Sequence, residues 1–289
     1  MIAFRSLRVV SFSIEYQDVW WEIEPTTDDV QDYDFFVERS ESMGGPWAEI
    51  AKLVDQYYVR DNDVALHSVN RTFFYRVRAV HRRTDREVVS DLASRQGALA
   101  LDAAEIVRLE NLLFREKIGV KCWLFPIRTF GQRCPQCFDK ALGKCTDDGC
   151  ATCWGSGFSG GYHHPISLWA QVDPPAKSEQ STTSTHLQSQ YSLIRMGPAP
   201  QVKPLDLLID NQNRRWKVTS WKATTRFGVP VHQELDVVRV TRGSLEDLVP
   251  LRVDNETVSL VPAREFTNPT STEVESADLS AMLTSFGYR

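Results

Sequence analysis

The sequence has no long apolar run. None of its stretches approaches the roughly 20 consecutive apolar residues that a helix needs to span a bilayer. The first residues, Met-Ile-Ala-Phe-Arg-Ser-Leu-Arg, lack the apolar stretch and small-residue cleavage site of a secretory leader. We therefore expect a soluble, unexported chain with no membrane partner.

The chain also lacks an excess of positive charge. It carries 33 Lys and Arg against 38 Asp and Glu, a formal net charge of −5 over 289 residues. Non-specific binding to nucleic acid would therefore need a local basic patch. The densest basic run, Arg76 to Arg83, is best interpreted as the solvated face of a strand and its turn. The length allows two or three domains, each with its own core.

The usual catalytic signatures are missing. The sequence has no phosphate-binding Gly-rich loop with Lys and no His-Glu-x-x-His. Histidines number six, and the pair His163-His164 stands in a Gly/Pro-rich turn that favours a surface or packing role. We therefore predict no catalytic residues and do not expect an enzyme.

Cysteine is scarce but concentrated, because five of the six fall between Cys134 and Cys153. Cys134-Pro-Gln-Cys137 and Cys150-Ala-Thr-Cys153 are two C-x-x-C pairs separated by 12 residues, a spacing that lets four thiolates converge on one ion. In a reducing compartment such clustering favours metal ligation over a disulfide framework. We predict a structural zinc site with Cys134, Cys137, Cys150 and Cys153 as ligands. An iron–sulfur cluster uses the same ligand type and is the second choice.

Other residues near this cluster leave alternatives open. Cys145 could replace a ligand of the second pair, and His163 and His164 are near enough in sequence to compete. Cys122 is left over, as either a small buried apolar group or one half of an intermolecular disulfide. Four thiolates would close the zinc site, so no metal-bound water could be activated there.

Residues 1–97 carry short apolar runs between turn signals, which predicts a β-sandwich. The predicted strands are Arg8–Glu15, Trp20–Glu24, Phe35–Arg39, Ala48–Leu53, Tyr57–Val59 and Phe73–His81.

Three segments of this region resemble the middle and late strands of a fibronectin type III domain. They are Tyr33-Asp-Phe-Phe-Val-Glu-Arg-Ser, Gly44-Gly-Pro-Trp47 and Phe74-Tyr-Arg-Val-Arg-Ala-Val. The early tryptophan is doubled as Trp20-Trp21, and either one could be buried. Modules of this family are adhesive or spacing units, so the resemblance implies contact rather than chemistry.

Residues 98–165 are predicted to hold a linking helix and a zinc ribbon. Over residues 101–117, Asp102 and Glu105 are spaced as a capping box. The apolar residues Ile106, Leu109, Leu112 and Leu113 recur at helical spacing and predict a core or interface face.

Residues 166–261 predict a small antiparallel β-barrel, with a long polar loop at 177–187 and a hairpin turn at Asp210–Asn213. Its predicted strands are Ile166–Val172, Gln190–Met196, Leu205–Ile209, Arg215–Trp221 and Leu235–Thr241. Residues 262–289 are expected to be a tail, in which Leu279, Met282, Leu283 and Phe286 could form a short docking helix or remain disordered.

The knuckle Cys150-Ala-Thr-Cys-Trp-Gly-Ser-Gly157 resembles one repeat of the zinc domain of J-domain co-chaperones, where glycines let backbone N–H groups approach the thiolates. Only one copy is present and no J domain precedes it. The resemblance therefore does not imply a co-chaperone.

The longer stretch from Arg133 to Pro165 resembles a zinc-ribbon segment of virion structural proteins from tailed bacteriophages. The barrel segments Pro204-Leu-Asp-Leu-Leu-Ile, Arg215-Trp-Lys-Val, the Gly228 turn and Gln233 are similar to small barrels of phage head-closure and neck proteins. This resemblance, over about residues 105–250, implies a homo-oligomeric ring of 6 or 12 copies in the neck or connector, in a particle assembled in the host cytoplasm. Neighbouring portal, adaptor and tail proteins would be its partners, and DNA in the channel a passive contact.

Two kinds of alternative remain. Within the same particle the chain could belong to the baseplate or be a tail terminator. Outside that class it could be a zinc-ribbon nucleic-acid-binding protein, because Arg128, Arg133, Lys140 and Lys144 surround the ribbon. Acidic neighbours dilute that patch, and no aromatic and basic stripe accompanies it.

Overall fold

The structure, a computed structural model, describes residues 2–64, 72–95, 101–147, 149–174, 176–182 and 185–251; of 176–182 and 185–189 it describes the backbone alone. The described part is mainly β, with 17 strands and one α-helix. The predicted fold class is confirmed: a sandwich, a helix with a cysteine-rich segment, and a small closed barrel follow one another along the chain. No helix among the described residues is long and apolar enough to cross a bilayer.

The N-terminal part is a sandwich of two antiparallel sheets. One sheet has the order β1-β2-β5 and the other the order β4-β3-β6-β7, with β8 also paired to β6. This division of strands is that of a fibronectin type III domain, and the domain is fibronectin type III-like. The strands are β1 Phe4–Val10, β2 Gln17–Ile23, β3 Tyr33–Ser40, β4 Ala48–Val54, β5 Tyr58–Asp61, β6 Phe74–His81, β7 Glu87–Val89 and β8 Ala93–Ser94. A 3-10 turn, Val30–Asp32, leads into β3.

The sandwich core is formed by side chains at every second position of the strands, which point inward between the two sheets. On β6, Tyr75 and Val77 are buried while Arg76 and Arg78 lie on the outer face, as the period of two predicts. Of the doubled tryptophan, Trp21 is the buried one, and its ring packs 6.1 Å from Phe35 between the two sheets.

The first predicted strand, Arg8–Glu15, is wrong in position, because β1 runs from Phe4 to Val10. Residues 11–15 form a bend instead, and Phe12 packs against the linking helix and the barrel. The strands β7 and β8 were not predicted.

The linking helix α1 spans Leu101–Leu113 and widens into a π-helical turn at Phe114–Ile118. Its buried face is formed by Ala103, Ala104 and Val107, and of these Ala103 and Val107 share an apolar cluster with barrel residues. The predicted helix is therefore present. The predicted capping box is not, because both carboxylate oxygens of Glu105 accept hydrogen bonds from Arg108.

The C-terminal part is a six-stranded ring of β-strands. Its order is β12-β9-β15-β16-β17-β14, and the ring closes where Ala170–Val172 of β12 pairs with Ile194–Met196 of β14. The strands are β9 Val120–Phe125, β12 Ile166–Val172, β13 Ala176–Thr182, β14 Thr185–Met196, β15 Leu207–Asp210, β16 Arg215–Arg226 and β17 Val229–Arg239. A 3-10 turn, Leu245–Leu248, follows.

The barrel contains one strand, β9, that was not predicted, and it comes from the segment 98–165. Cys122 and Leu124 of β9 point into the barrel core with Trp216 and Val218, whereas Trp123 belongs to a second cluster outside it. Cys122 is fully buried, so its interpretation as a small apolar core group is the one that the structure supports. Burial also raises the pKa of its thiol.

Two hairpins extend past the ring. The segment predicted as a polar loop, 177–187, is largely strand, because Ala176–Thr182 pairs with Thr185–Tyr191. β16 and β17 continue beyond the barrel to a turn at Phe227 and Gly228, both with positive φ. The tail 262–289, including its predicted docking helix, lies outside the described residues.

Candidate metal centre

The two C-x-x-C pairs lie in tight turns between α1 and β12. The first pair precedes a two-stranded ribbon, β10 Phe138–Asp139 and β11 Lys144–Cys145. The second lies in a series of turns that ends at an isolated bridge between Arg133 and Phe158. This bridge, with the hydrogen bond from Cys134 N to Gly157 O (3.0 Å), brings the two turns together.

The four predicted ligands form one cluster. The side chains of Cys134, Cys137, Cys150 and Cys153 are all buried, and their sulfur atoms lie within 4.8 Å of one another. The Sγ–Sγ distance is 3.7 Å between Cys134 and Cys150 and 3.4 Å between Cys137 and Cys153. These four cysteines could therefore bind one metal ion.

Backbone N–H groups surround the second pair of sulfurs. Hydrogen bonding from the backbone of Thr152 lowers the pKa of the Cys150 thiol. Burial raises the pKa of Cys153, and the N–H groups of Gly157 and Gly155 act in the opposite direction. Donors of this kind stabilise a thiolate, which is the form that binds metal.

Glycines are required where the turns approach each other. Gly161 has a φ of +64°, and a Cβ there would lie 2.5 Å from the ring of Trp154 and 2.8 Å from the carbonyl oxygen of Cys153. A larger residue would therefore displace the second pair of cysteines.

Arg133 ties the two turns together from outside. Its guanidinium lies 4.9 Å from the ring centroid of Phe138 and 4.2 Å from that of Phe158. The arginine next to the first cysteine pair thus packs on an aromatic ring from each half of the segment.

Cys145 lies beside the first pair rather than the second. Its Sγ forms a disulfide with Cys137 and lies 3.3 Å from the carbonyl oxygen of Asp147. A thiolate ligand and a disulfide are mutually exclusive states of Cys137. Cys145 is thus placed to compete for Cys137, whereas the sequence suggested a substitute for Cys150 or Cys153.

The histidines that could compete as ligands are placed elsewhere. Nδ1 of His163 lies 2.9 Å from Oδ1 of Asp55, in the loop between β4 and β5 of the sandwich. Arg128 donates to the other oxygen of Asp55 and, at 2.9 Å, to the carbonyl oxygen of Tyr162. All three side chains are buried. This polar cluster joins the sandwich to the cysteine-rich segment, and sequence analysis missed it.

The basic residues around the ribbon are only partly available to a ligand. Arg128 is buried in the ion pair with Asp55, and Arg133 stacks on two rings. Lys140 and Lys144 remain exposed, beside Asp139. The patch that favoured nucleic-acid binding is thus smaller than the sequence indicated.

Comparisons with known proteins add little beyond the fold. No protein-family model and no curated protein matches the chain. A solved Fn3-like protein from Clostridium thermocellum is 26% identical over 32% of this chain and 91% of its own, with a TM-score of 0.26. A structure of titin kinase and its flanking domains is 6% identical, over 82% of this chain and 36% of its own, with a TM-score of 0.25. At these TM-scores neither likeness carries an argument.

Proposed function

We propose that the four-cysteine cluster is a structural zinc site. Zinc bonded to four thiolates at about 2.3 Å holds its sulfurs about 3.8 Å apart. The sulfurs of Cys134 and Cys150 lie 3.7 Å apart, and all four are within 4.8 Å. An iron–sulfur cluster places several iron and sulfide atoms between the cysteines and would need a wider cage.

Zinc would supply rigidity to a segment with little core of its own. Apart from the cysteines, the turns from Cys134 to Gly161 bury few side chains, with Phe158 the main apolar one. Four protein ligands would complete the coordination shell, so the ion would bind no reactive water. The site therefore supports folding rather than catalysis.

We further propose that the chain is a structural, non-catalytic component of a tailed phage particle, a neck or connector ring protein that joins head and tail. The observation that carries this proposal is the closed barrel with two hairpins running past the ring, next to a four-cysteine ribbon. The resemblance to phage neck proteins implied the ribbon and the small barrel, whereas the two extended hairpins were not among its expectations. The baseplate and the tail terminator remain the alternative positions in such a particle.

In this proposal identical subunits pack side by side through heterologous contacts that close by rotation. The hairpins would contact neighbours, and the exposed Phe227 at the tip of the β16–β17 hairpin offers an apolar anchor for such a contact. The sandwich would face outward as a spacer.

Native mass spectrometry of the purified full chain tests both proposals, because it reports bound metal and oligomer size together. We expect one zinc ion per chain and a closed ring of about 6 or 12 copies. Absence of metal would reject the zinc site. A zinc-bearing chain that stays monomeric at high concentration and shifts labelled DNA would reject the ring and favour nucleic-acid binding.

A further inference from the structure

A groove of about 640 Å³ lies where the sandwich, the helix and the barrel meet. Tyr16 and Arg60 of the sandwich line one side, Leu112 lies on the helix side, and Trp169 and Met196 come from the barrel. The groove is thus built from all three parts of the described chain.

The apolar part of this groove is open to solvent. Trp169 is 41% exposed and Leu112 is 42% exposed. On the same helix, Leu109 is 50% and Leu113 43% exposed. Four large apolar side chains on and beside one helix face form the kind of patch that marks a contact site.

Charged side chains line the groove beside the apolar part. Arg60, Arg108 and Arg115 line the groove, against the single carboxylate of Glu15. Arg60 pairs with the buried Asp18, but Arg108 and Arg115 pair with the surface residues Glu105 and Glu116. Exposed pairs of this kind are weak and exchange readily for another acidic partner. The groove therefore suits an apolar segment with acidic residues at one end.

The chain itself contains such a segment beyond residue 251. Leu279, Met282, Leu283 and Phe286 are spaced at i, i+3, i+4 and i+7, the pattern of one apolar helix face. Three acidic residues, Glu273, Glu275 and Asp278, stand immediately before them. Acidic residues at that end also suit the positive end of a helix dipole.

We propose that residues 273–286 dock as an amphipathic helix in this groove of their own chain. The 21 residues between Leu251 and Glu273 can span about 70 Å when extended, enough to reach any face of a molecule of this size. A tethered segment acts at an effective concentration of the order of millimolar, which favours its own groove over that of another copy in dilute protein. The proposal does not depend on a ring or on zinc.

Hydrogen exchange of the full chain, followed by mass spectrometry, tests this docking. In the wild-type protein we expect amides of residues 279–286 to exchange about tenfold or more slowly than an unstructured chain. Leu112→Glu places a charge in the groove at an exposed position, and we expect it to abolish that protection. Leu142→Glu, at an exposed leucine of the cysteine-rich segment, is the matched control and should leave the protection unchanged.

A second variant changes the segment instead of the groove. Its two substitutions lie beyond residue 251, so they leave the core of the described residues intact. Leu279→Asp with Leu283→Asp should release the segment and speed exchange in the C-terminal half of the helix. Unprotected amides over 279–286 in the wild-type chain would overturn the proposal. So would protection that disappears on dilution, because that result would assign the groove to a second copy.

Discussion

Asp55 and His163, 108 residues apart in sequence, are in direct contact: Oδ1 of Asp55 lies 2.9 Å from Nδ1 of His163, and the other oxygen accepts from Arg128. The contact fixes a sandwich loop against the cysteine-rich segment. Asp55 has a φ of +52°, which an asparagine also tolerates, so the position can be changed with little backbone strain.

We expect Asp55→Asn to lower the free energy of unfolding by about 3 kcal/mol, because the buried guanidinium of Arg128 loses its counter-charge. Differential scanning calorimetry measures the change. Asp91→Asn, at an exposed aspartate of the same domain, should behave like the wild type. Equal stability of the two variants would mean that the Asp55 cluster contributes nothing beyond packing.

Removing one metal ligand should release the ion. We expect Cys150→Ser to reduce bound zinc from one per chain to almost none, because three thiolates and a hydroxyl hold zinc far more weakly. Elemental analysis of the purified protein gives the ratio. Cys122→Ala removes a buried thiol from the barrel core instead and should keep one zinc per chain, even if it is less stable.

The disulfide partner of Cys137 should decide how the site responds to oxidation. Treatment of zinc-loaded wild-type protein with peroxide is expected to link Cys137 to Cys145 and release the metal, because a disulfide sulfur is no longer a thiolate ligand. Cys145→Ser should bind one zinc and release it more slowly under the same treatment. A colorimetric zinc chelator follows the release, and identical rates would show that Cys145 does not compete.

Two glycines of the cysteine-rich segment, Gly161 and Gly143, differ in the space available for a Cβ atom, so we expect alanine to be tolerated at Gly143 only. Gly161→Ala should unfold the segment and lower its zinc content, because its Cβ would overlap Trp154 and the backbone of Cys153. Gly143 has a similar φ of +65° but nothing within 4 Å of a Cβ. Gly143→Ala should therefore cost only about 1 kcal/mol and retain zinc, as thermal melts and metal analysis will show.

Asp206 should give the barrel a pH dependence opposite to that of most carboxylates. Burial raises its pKa from 3.8 to about 6. Its contribution to stability is therefore greatest below pH 3.8 and is lost as the pH rises through 6. The stability difference between wild type and Asp206→Asn should be larger at pH 4 than at pH 7, by about 2–3 kcal/mol. Urea unfolding at both pH values measures it, and a constant difference would contradict the shift.

The cysteine ligands, which are close together in sequence, were predictable from the sequence. The contacts between residues far apart in sequence were not. The two C-x-x-C pairs carry their ligands within four residues each, so the composition of the cluster follows from spacing alone. The contacts of Asp55 with Arg128 and His163 span 73 and 108 residues, and no local pattern signals them. Their nearest hint was the position of His163 in a Gly-rich turn.

The missed strand β9 has a physical explanation. Cys122 and Leu124 face one apolar cluster while Trp123 and Phe125 face another, so the strand is apolar on both sides. Without polar alternation, a short run beside a helix cannot be assigned to strand or helix by periodicity. Where one face is exposed to solvent, as on β6, alternation is visible and the prediction succeeds.

Closure of the barrel has a consequence for how the chain can meet its neighbours. Because β12 pairs with β14, the wall of the ring offers no free backbone edge in the part of the chain that the structure describes. Within the described barrel part, unpaired strand edges lie on the stretches that extend past the ring, on the β13–β14 and β16–β17 hairpins. Another chain could extend either hairpin by strand addition without breaking one hydrogen bond of the barrel, so association and disassembly need not pass through unfolding.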